Sequence, residues 1–342
     1  MKQYNVAVVG ATGAVGEQMR RILESRDFPV GVLRLLASVK SEGQRLTWRR
    51  TGVLVEALTE NSFSDIDIAL FSAGSEISRT YAPIARDAGA VVIDNSSAWR
   101  MDEDVPLVVP EVNRGALAAH KGIIANPNCS TIQMVVALKP LHDKWGLKRV
   151  VVSTYQAVSG TGRQAVEELL AQARAYLAGE PIQPEVYPHQ IAFNLLPHID
   201  VFGADGYSNE ERKMINETRK IMELPGLAVT ATTVRVPVVT GHAESINVEF
   251  AGSPDIGAVR RILAAAPGVE VVDDPENAEY PTPIFAAGKD SCFVGRLRLD
   301  ESVANGLNFW VVADNLRKGA ALNAVQIAEC LISDGNLRQS RS

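Results

Sequence analysis

Residues 4–16, YNVAVVGATGAVG, decide the fold of the first part of this 342-residue chain. An apolar run over residues 4–9 leads into a glycine-rich turn, and the next stretch, EQMRRILES, repeats apolar residues at helical spacing. A strand that passes through such a turn into a helix is typical of a dinucleotide-binding fold, because backbone N–H groups there can approach a pyrophosphate. Gly10, Gly13 and Gly16 therefore predict a cofactor turn. A simple packing turn is the alternative, since the GxxGxxG spacing departs from GxGxxG.

The same alternation continues along the chain. Three further apolar runs end in small polar residues: VGVLRLLAS, DIALFSAG and AVVIDNSS. Near-continuous apolar strands that alternate with helices form a parallel sheet covered on both faces, so we predict an α/β fold with a Rossmann-like N-terminal parallel sheet. From residue 149 the strands lengthen and alternate, as in RVVVSTYQAV. This pattern predicts a second, α+β domain built on a largely antiparallel or mixed sheet.

The length of the chain is typical of two domains. We predict a dinucleotide-binding domain of residues 1–128 plus 316–342, and a second, catalytic domain of residues 129–315. The final helix, Lys318 to Ile332, is expected to return and pack on the first domain. The strong helix of the second domain, RQAVEELLAQARAYL, is expected to bury one apolar stripe, made of Val166, Leu169, Leu170, Ala173 and Leu177.

Composition excludes several classes of protein. The chain has 34 basic and 40 acidic residues, a formal net charge of -6, so neither nucleic acid nor a membrane surface is an expected partner. No apolar run approaches the ~20 residues of a membrane-spanning helix, and we expect a cytoplasmic protein. Cys129, Cys292 and Cys330 lie far apart and form no disulfide framework. The histidines show no HxxxH pair, so no metal is predicted.

The residues that follow the second apolar run indicate which cofactor binds. An NAD enzyme of this class has Asp or Glu about 20 residues after the turn, to bind the ribose 2′-OH. Leu36, Ala37 and Ser38 stand there instead, and Ser38, Lys40 and Ser41 offer hydroxyls and a cation that suit a 2′-phosphate. The sequence therefore favours NADP, with a solvated loop charge as the alternative for Lys40.

The stretch GIIANPNCSTIQMVVALKPL is predicted to be a strand, a turn and a helix bounded by Pro140. Cys129 falls at the start of that helix, where the partial positive charge of the N-terminus stabilises a thiolate. We interpret Cys129 as a nucleophile. In the alternative interpretation Ser130 caps the helix and Cys129 is a spacer.

A thiolate that attacks a carbonyl needs an acid/base partner. His242, in RVPVVTGHAES, lies just past a predicted strand and is the preferred candidate, although a lone histidine is more often structural. Arg235, seven residues earlier, adds a group that binds anions.

Taken together, the motifs resemble one family. GATGAVG, FSAGSEIS, NSSAWR, VPEVN, NPNCST, TYQAVSGTG, EERKMINETRKI, RVPVVTGHAE and DNLRKGAALNAVQIAE are similar to the bacterial form of aspartate-β-semialdehyde dehydrogenase. The resemblance runs from residue 4 to about residue 333, and the order and spacing of the motifs make it specific. It implies NADPH-dependent reduction of L-aspartyl-4-phosphate to L-aspartate-4-semialdehyde through a Cys129 thioester. This reaction belongs to lysine, threonine, methionine and diaminopimelate biosynthesis.

The resemblance also implies roles for individual residues. Cys129 forms the acyl-enzyme, His242 is the acid/base, and Gln156 orients the substrate at the thiol. For the substrate it implies Arg235 at the carboxylate, Glu210 (or the adjacent Glu211) at the amino group, Lys213 and Arg100 at the phosphate, and Asn128 beside the thiol. The implied NADP contacts are Gly10, Thr12, Gly13, Ala14, Val15, Ser38, Lys40, Ser41, Ser159, Gly160 and Asn315, with Ser72 and Gly74 nearby. A homodimer through the second domain is implied as well.

Three other functions are compatible with parts of this pattern. N-acetyl-γ-glutamyl-phosphate reductase shares the fold, the Cys–His chemistry and NADPH, but NPNCST, RVPVVTGH and EERK fit the aspartyl enzyme better. Glyceraldehyde-3-phosphate dehydrogenase is more distant. A non-catalytic dinucleotide-binding paralogue is a third possibility, but Cys129, Gln156, Arg235 and His242 are all present.

Overall fold

The computed structural model describes residues 2–337. This part of the chain falls into two compact units, of which the second is Cys129–Gly319 and the first contains the residues before and after it. The last five residues of the predicted segment 316–342, residues 338–342, lie outside the described residues. The strands are β1 (Tyr4–Val9), β2 (Val30–Ala37), β3 (Arg45–Trp48), β4 (Thr51–Ala57), β5 (Ile68–Phe71), β6 (Val91–Asp94), β7 (Ile123–Ala125), β8 (Leu147–Gln156), β9 (Ala228–Arg235), β10 (His242–Phe250), β11 (Val269–Val271), β12 (Cys292–Asp300) and β13 (Gly306–Ala313). The α-helices are α1 (Ala14–Ser25), α2 (Ser75–Asp87), α3 (Pro110–Asn113), α4 (Cys129–Trp145), α5 (Arg163–Ala178), α6 (Asn209–Ile221), α7 (Ile256–Ala265), α8 (Pro283–Ala286) and α9 (Leu322–Ser333).

The first unit is built on a sheet of order β3-β4-β2-β1-β5-β6-β7. Neighbouring strands run parallel except at the edge, where β3 pairs antiparallel with β4. The order of the strands reverses at β1, because β2 lies on one side of it and β5 on the other. In such sheets ligands bind at the carboxyl end of the strand where the order reverses. The Rossmann-like prediction for this part of the chain is confirmed.

Helix α9 belongs to the core of the first unit. Its apolar face, with Ala324, Ile327 and Ala328, packs into the same buried cluster as Val6 and Val8 of β1, as the sequence predicted. The chain crosses back to this unit at Ala320, four residues later than predicted. The difference has a local cause: the Asp314 carboxylate accepts hydrogen bonds from the N–H groups of Leu316 and Arg317 and holds this stretch on the second unit.

The second unit contains a mixed sheet of order β11-β12-β13-β10-β8-β9. Strand β10 pairs antiparallel with both of its neighbours, β8 and β13, whereas β8 and β9 are parallel. This arrangement confirms the predicted mixed sheet. Helices α4 and α6 pack on the sheet.

One face of this sheet buries an unusual number of polar side chains. The register pairs Gln156 with Arg235 and Thr154 with Glu244, so these residues point to the same side of the sheet. His242 shares that side because it stands two residues before Glu244 on β10. All of these side chains are buried, and α6 contacts the same side through a Gln156–Glu210 hydrogen bond. Buried polar groups need partners, so this face is where chemistry is expected.

Two helices differ from their predictions. Helix α4 continues past Pro140 to Trp145, because a proline removes only one backbone hydrogen bond while Leu138 and Leu141 on either side are completely buried. Helix α5 buries Glu168 and Gln172 together with Leu169, and Leu170 and Leu177 of the predicted stripe are exposed. The polar face is buried because the Gln172 side chain accepts hydrogen bonds from two backbone N–H groups, those of residues 191 and 192, at 2.9 and 3.1 Å.

Candidate functional site

The glycine turn after β1 fits a group that must approach the backbone closely. Gly10 has φ +83°, a conformation that favours glycine, and a Cβ there would lie 2.5 Å from the Ser72 carbonyl oxygen. A Cβ at Gly16 would overlap the Gly10 carbonyl. Helix α1 begins directly after this turn, at Ala14, with Gly13 as an N-cap that has no side chain to bond its N–H groups. The turn therefore presents backbone donors at a helix N-terminus without side chains in the way.

The residues predicted to select the cofactor lie beside this turn. The N–H groups of Gly10 and Ala11 donate to the Leu36 carbonyl at 2.9 and 3.1 Å, so the end of β2 is held against the end of β1. The next residues form a short 3-10 turn, Val39–Ser41, in which Lys40 is exposed and Ser41 half-buried. A hydroxyl and a cation thus stand close to the glycine turn within the first unit.

The loop that leads to the nucleophile candidate is locked by asparagines. Asn126 donates to the Asn95 side chain at 2.6 Å and to the Ala320 carbonyl at 3.2 Å, and it accepts from the Asn323 amide at 2.7 Å. Asn126 and Asn323 are both completely buried. The sequence did not lead us to either residue, although the first Asn of the NPN motif and a polar residue inside an alanine-rich helix were the available signals.

Arg100 and Asn128 also belong to the first unit and are both buried. The Arg100 guanidinium donates to the Asn95 carbonyl at 2.9 Å. The same short loop after β6 therefore holds both Arg100 and Asn126.

Cys129 is the first residue of α4 and is partly exposed, whereas Cys292 and Cys330 are buried. Helix α4 has 17 residues, so its aligned peptide dipoles favour a thiolate at this end. Gly319 packs directly on it: a Cβ at Gly319 would lie 2.9 Å from the Cys129 Cβ. Gly319 is a further position that the sequence alone did not single out, and it leaves the space that the cysteine occupies.

His242 is completely buried at the start of β10. Its Nδ1 atom accepts a hydrogen bond from the Ala157 backbone N–H at 3.0 Å, so in the neutral ring the proton is assigned to Nε2. Burial, followed by the positive charge of Arg235, lowers the pKa of His242 well below its usual value. A Cβ at Gly160 would lie 3.2 Å from Nε2, so the absence of a side chain at Gly160 leaves room beside this nitrogen. The imidazole is therefore built as a neutral N–H donor.

Arg235 is a buried cation beside this histidine. Its side chain is 5% exposed, and its Nη1 atom donates to the Ala157 carbonyl at 2.7 Å. The ring of Tyr187 lies 6.0 Å from the guanidinium carbon. Within residues 2–337 no carboxylate forms an ion pair with Arg235, and its Nε atom has no hydrogen-bond partner. A buried charge without a counter-ion is costly, so this guanidinium is suited to an anionic ligand.

Gln156 connects the sheet to helix α6. Its amide nitrogen donates to Glu210 at 3.2 Å, and Lys213 donates to the other Glu210 oxygen at 3.3 Å and to Asp200 at 2.7 Å. The neighbouring Glu211 is committed to the backbone, because it accepts from Ser208 N–H at 2.8 Å and Thr233 N–H at 3.0 Å. Of the two glutamates, Glu210 is therefore the one that faces Gln156.

The predicted cofactor residues of the second unit form one buried group. Ser159 and Asn315 are joined by hydrogen bonds of 3.0 and 3.2 Å, and Asn315 also accepts from the Gly241 N–H at 2.9 Å. Gly241 directly precedes His242, so this group adjoins the histidine.

The second unit thus contains eight of the predicted site residues besides Cys129. They are Gln156, Ser159, Gly160, Glu210, Lys213, Arg235, His242 and Asn315, and α4, which Cys129 begins, packs on the sheet of this unit. The other predicted residues, Gly10 to Val15, Ser38 to Ser41, Arg100 and Asn128, lie in the first unit. Residues 2–337 contain no group of His, Cys, Asp and Glu arranged to hold a metal, and none of their helices is long and apolar enough to cross a membrane.

A dinucleotide-type parallel sheet in one unit and a mixed sheet in the other, with a thiol at a helix N-terminus, are typical of a two-domain α/β dehydrogenase. Residues 5–120 match the family described as semialdehyde dehydrogenase, NAD binding domain, and residues 138–318 match semialdehyde dehydrogenase, dimerisation domain. The chain belongs to the aspartate-semialdehyde dehydrogenase family and has the activity of that family, in amino-acid biosynthesis.

Individual relatives are similar over nearly the whole chain. Aspartate-semialdehyde dehydrogenase of Aquifex aeolicus is 58% identical over 336 residues, which are 97% of this chain and 99% of the relative. The crystal structure of aspartate semialdehyde dehydrogenase II from Vibrio cholerae, complexed with ASA, is 50% identical with a TM-score of 0.95, over 98% of this chain and 99% of that one. Aspartate semialdehyde dehydrogenase of Candida albicans, solved with NADP, is 25% identical with a TM-score of 0.77, over 98% and 100%.

Proposed function

We propose that this chain reduces L-aspartyl-4-phosphate to L-aspartate-4-semialdehyde with NADPH, reversibly, through a thioester on Cys129. The observation that carries the proposal is Arg235, a guanidinium that is 5% exposed and forms no ion pair with a carboxylate of residues 2–337. It lies beside the two side chains proposed to act on the reacting carbonyl, Gln156 and His242. A planar guanidinium binds a carboxylate through two parallel hydrogen bonds, which would orient an amino-acid substrate.

In the proposed first step the Cys129 thiolate attacks the carbonyl carbon of the acyl phosphate. The new C–S bond forms, the C–O bond to phosphate breaks, and inorganic phosphate leaves with the electron pair. Helix α4 supports this step because its N-terminus stabilises the thiolate. The Nε2–H of His242 is proposed to donate to the carbonyl oxygen as negative charge develops on it, and to keep that hydrogen bond while the tetrahedral intermediate collapses.

NADPH, when bound, would supply the hydride that converts the thioester to the anion of a thiohemiacetal, whose oxygen is proposed to accept the hydrogen bond from His242. The Cys129 sulfur then leaves as the C–S bond breaks, and the aldehyde is released. For the cofactor we propose the glycine turn with Gly10 and Gly13, the turn with Lys40, and the Ser159–Asn315 group. The Candida albicans relative solved with NADP supports the choice of NADP over NAD, as does the absence of a carboxylate at residues 36–38.

The charges around the site support an aspartyl rather than an acetylated substrate. The Glu210 carboxylate next to Gln156 is suited to the free ammonium group of an aspartyl substrate. An N-acetyl substrate carries an uncharged amide at that position and would leave the carboxylate without this partner. Arg100 and Lys213 are the proposed phosphate ligands. Because the chain has a formal net charge of -6, an anionic substrate needs basic side chains placed at the site itself.

We also propose a homodimer formed through the second unit, which matches a dimerisation domain. Its surface supports this proposal, because several large apolar side chains of this unit are exposed: Leu170, Tyr176, Leu177, Phe193, Leu195, Val201 and Phe202. A cytoplasmic location stays a prediction.

The test is a comparison of oxidation rates in the presence of phosphate. Aspartate semialdehyde and N-acetylglutamate semialdehyde are each assayed with NADP and with NAD. We expect turnover of aspartate semialdehyde with NADP and little with the acetylated compound. A preference for N-acetylglutamate semialdehyde would overturn the assignment of Glu210 and of the substrate.

A further inference from the structure

Strand β10 carries a second ionisable side chain, Glu244, that none of the proposed steps uses. It stands two residues after His242, on the same side of the sheet, and it is completely buried. The residues opposite it on the neighbouring strands, Thr154 on β8 and Val311 on β13, carry no charge. A buried carboxyl in such surroundings requires an explanation.

Helix α4 packs on β10, and its Gln133, one helical turn after Cys129 and also completely buried, is the side chain that interacts with this carboxyl. The two carboxyl oxygens of Glu244 and the amide oxygen and nitrogen of Gln133 are buried and form no hydrogen bond within residues 2–337. Four buried polar atoms, two on each of these neighbouring side chains, therefore lack partners that the two side chains could supply to each other.

The chemistry of the two groups decides the protonation state. An ionised carboxylate has only acceptors, so one of its oxygens would oppose the Gln133 amide oxygen. A protonated carboxyl donates its O–H to that oxygen and accepts the amide N–H, which completes a ring of two hydrogen bonds. Consistent with this, burial raises the pKa of Glu244 well above its usual value, and the Gln133 amide opposes the rise in part. His242, the nearest ionisable group on the same strand, is itself held neutral.

We propose that protonated Glu244 and Gln133 form a buried acid–amide pair that fastens the beginning of α4 to β10 and so positions the Cys129 sulfur against the His242 ring. Both are positioning residues, since neither touches the reacting atoms. This proposal rests on the proposed roles of Cys129 and His242. The acid–amide pair would join α4, which begins with Cys129, to β10, which begins with His242.

The conservative variant separates this role from simple packing. Glu244→Gln replaces the acid–amide ring by an amide–amide ring of the same shape, so we expect kcat within a few-fold of the wild-type value. Glu244→Ala and Gln133→Ala each break the ring, and a misplacement of the sulfur by about 1 Å lowers kcat by about 100-fold while the KM for NADP stays unchanged. The double variant is expected to lose no more than either single one. Glu249→Ala, on the opposite side of β10, where Glu249 is half-buried and paired with Arg149, is the control and is expected to keep full activity.

Two readouts need no turnover and therefore survive if the proposed reaction is wrong. Infrared spectroscopy of protein with ¹³C-labelled glutamate is expected to show the carbonyl band of a protonated carboxyl at pH 7, and Glu244→Gln removes it. The second readout is the free energy of unfolding as a function of pH. The unfolded chain releases the Glu244 proton above about pH 4.3, whereas the folded chain keeps it. The free energy of unfolding of the wild type therefore falls as pH rises. Glu244→Gln lacks this loss, and its advantage over wild type is expected to grow from pH 5 to pH 8.

Three results would overturn the proposal: no protonated-carboxyl band at pH 7, a kcat for Glu244→Gln as low as that of Glu244→Ala, or full activity of Glu244→Ala. If the alanine variants fail to fold, the infrared band of the wild type and the kcat of Glu244→Gln are sufficient to test the proposal. Failure of aspartate semialdehyde turnover in the wild type would instead contradict the proposed function and leave the band unaffected.

Discussion

The Nδ1 atom of His242 accepts a hydrogen bond from the backbone N–H of Ala157 at 3.0 Å. Because one ring nitrogen is occupied as an acceptor, the proton of the neutral imidazole resides on the other. With Arg235 close by and no exposure to solvent, the ring resists a second proton. A neutral N–H donor of this kind suits the stabilisation of a carbonyl oxygen and does not suit removal of a proton from the thiol. We therefore expect Cys129, if it is the nucleophile as proposed, to be activated chiefly by the N-terminus of its helix.

We predict that ¹⁵N spectra of ring-labelled protein show His242 as the Nε2–H tautomer at pH 7, and still neutral at pH 6, because burial and Arg235 lower its pKa well below 6.5. Ala157→Pro removes the donor, and φ of -65° at Ala157 already suits proline. We expect this variant to lose the fixed tautomer, whereas Ala157→Ser, which keeps the N–H, does not. A doubly protonated ring at pH 7 in the wild type would contradict this account.

Gly319→Ala is predicted to impair chemistry while cofactor binding persists. The added Cβ would lie 2.9 Å from the Cys129 Cβ, so the Cys129 side chain must move. A shift near 1 Å lowers kcat by about 100-fold. Gly226→Ala is the matched control, since a Cβ there meets nothing within 4 Å. Steady-state kinetics and NADP titration measure both variants, and equal kcat values for the two would show that this packing does not position the thiol.

Arg235→Lys is predicted to raise the KM for aspartate semialdehyde. Lysine keeps the charge and loses the paired hydrogen bonds, which costs about 1.5–3 kcal/mol, or roughly 10- to 150-fold. The NADP dissociation constant is expected to stay the same. Arg174→Lys, on the exposed side of α5, serves as control. If KM is unaltered and NADP binding weakens instead, Arg235 belongs to the cofactor.

Lys40→Glu tests the cofactor assignment. A carboxylate near the ribose repels a 2′-phosphate and can accept from a 2′-hydroxyl, so NADP binding is expected to weaken far more than NAD binding. Lys148→Glu makes the same change of charge at an exposed position of the second unit. Titration of both nucleotides measures the selectivity, and an equal loss for both would place the 2′-phosphate elsewhere.

Local sequence patterns predicted the features that are determined by residues close together in the sequence. The strand–turn–helix of residues 4–16 and Cys129 at the start of α4 follow from spacing and turn chemistry. The buried face of α5 could not be predicted from its own sequence. It is determined by the backbone N–H groups of residues 191 and 192, which lie in a later loop and donate to Gln172.

Pairs of buried polar residues were beyond prediction for the same reason. Asn126 meets Asn323 across 197 positions of sequence, and Glu244 meets Gln133 only because β10 and α4 pack together. Gly319 has significance only once Cys129 lies against it. In each case the partner is set by tertiary packing, which leaves no periodic signal in either segment.

The central claim is that substrate becomes esterified to the sulfur of Cys129. The most direct measurement is mass spectrometry of protein incubated with aspartate semialdehyde and NADP in the absence of phosphate, then digested at low pH to preserve thioesters. We predict a gain of one aspartyl group on the peptide that contains Cys129, lost in Cys129→Ala, with Cys292 and Cys330 unlabelled. A label on any other side chain, or turnover by Cys129→Ala, would contradict the claim.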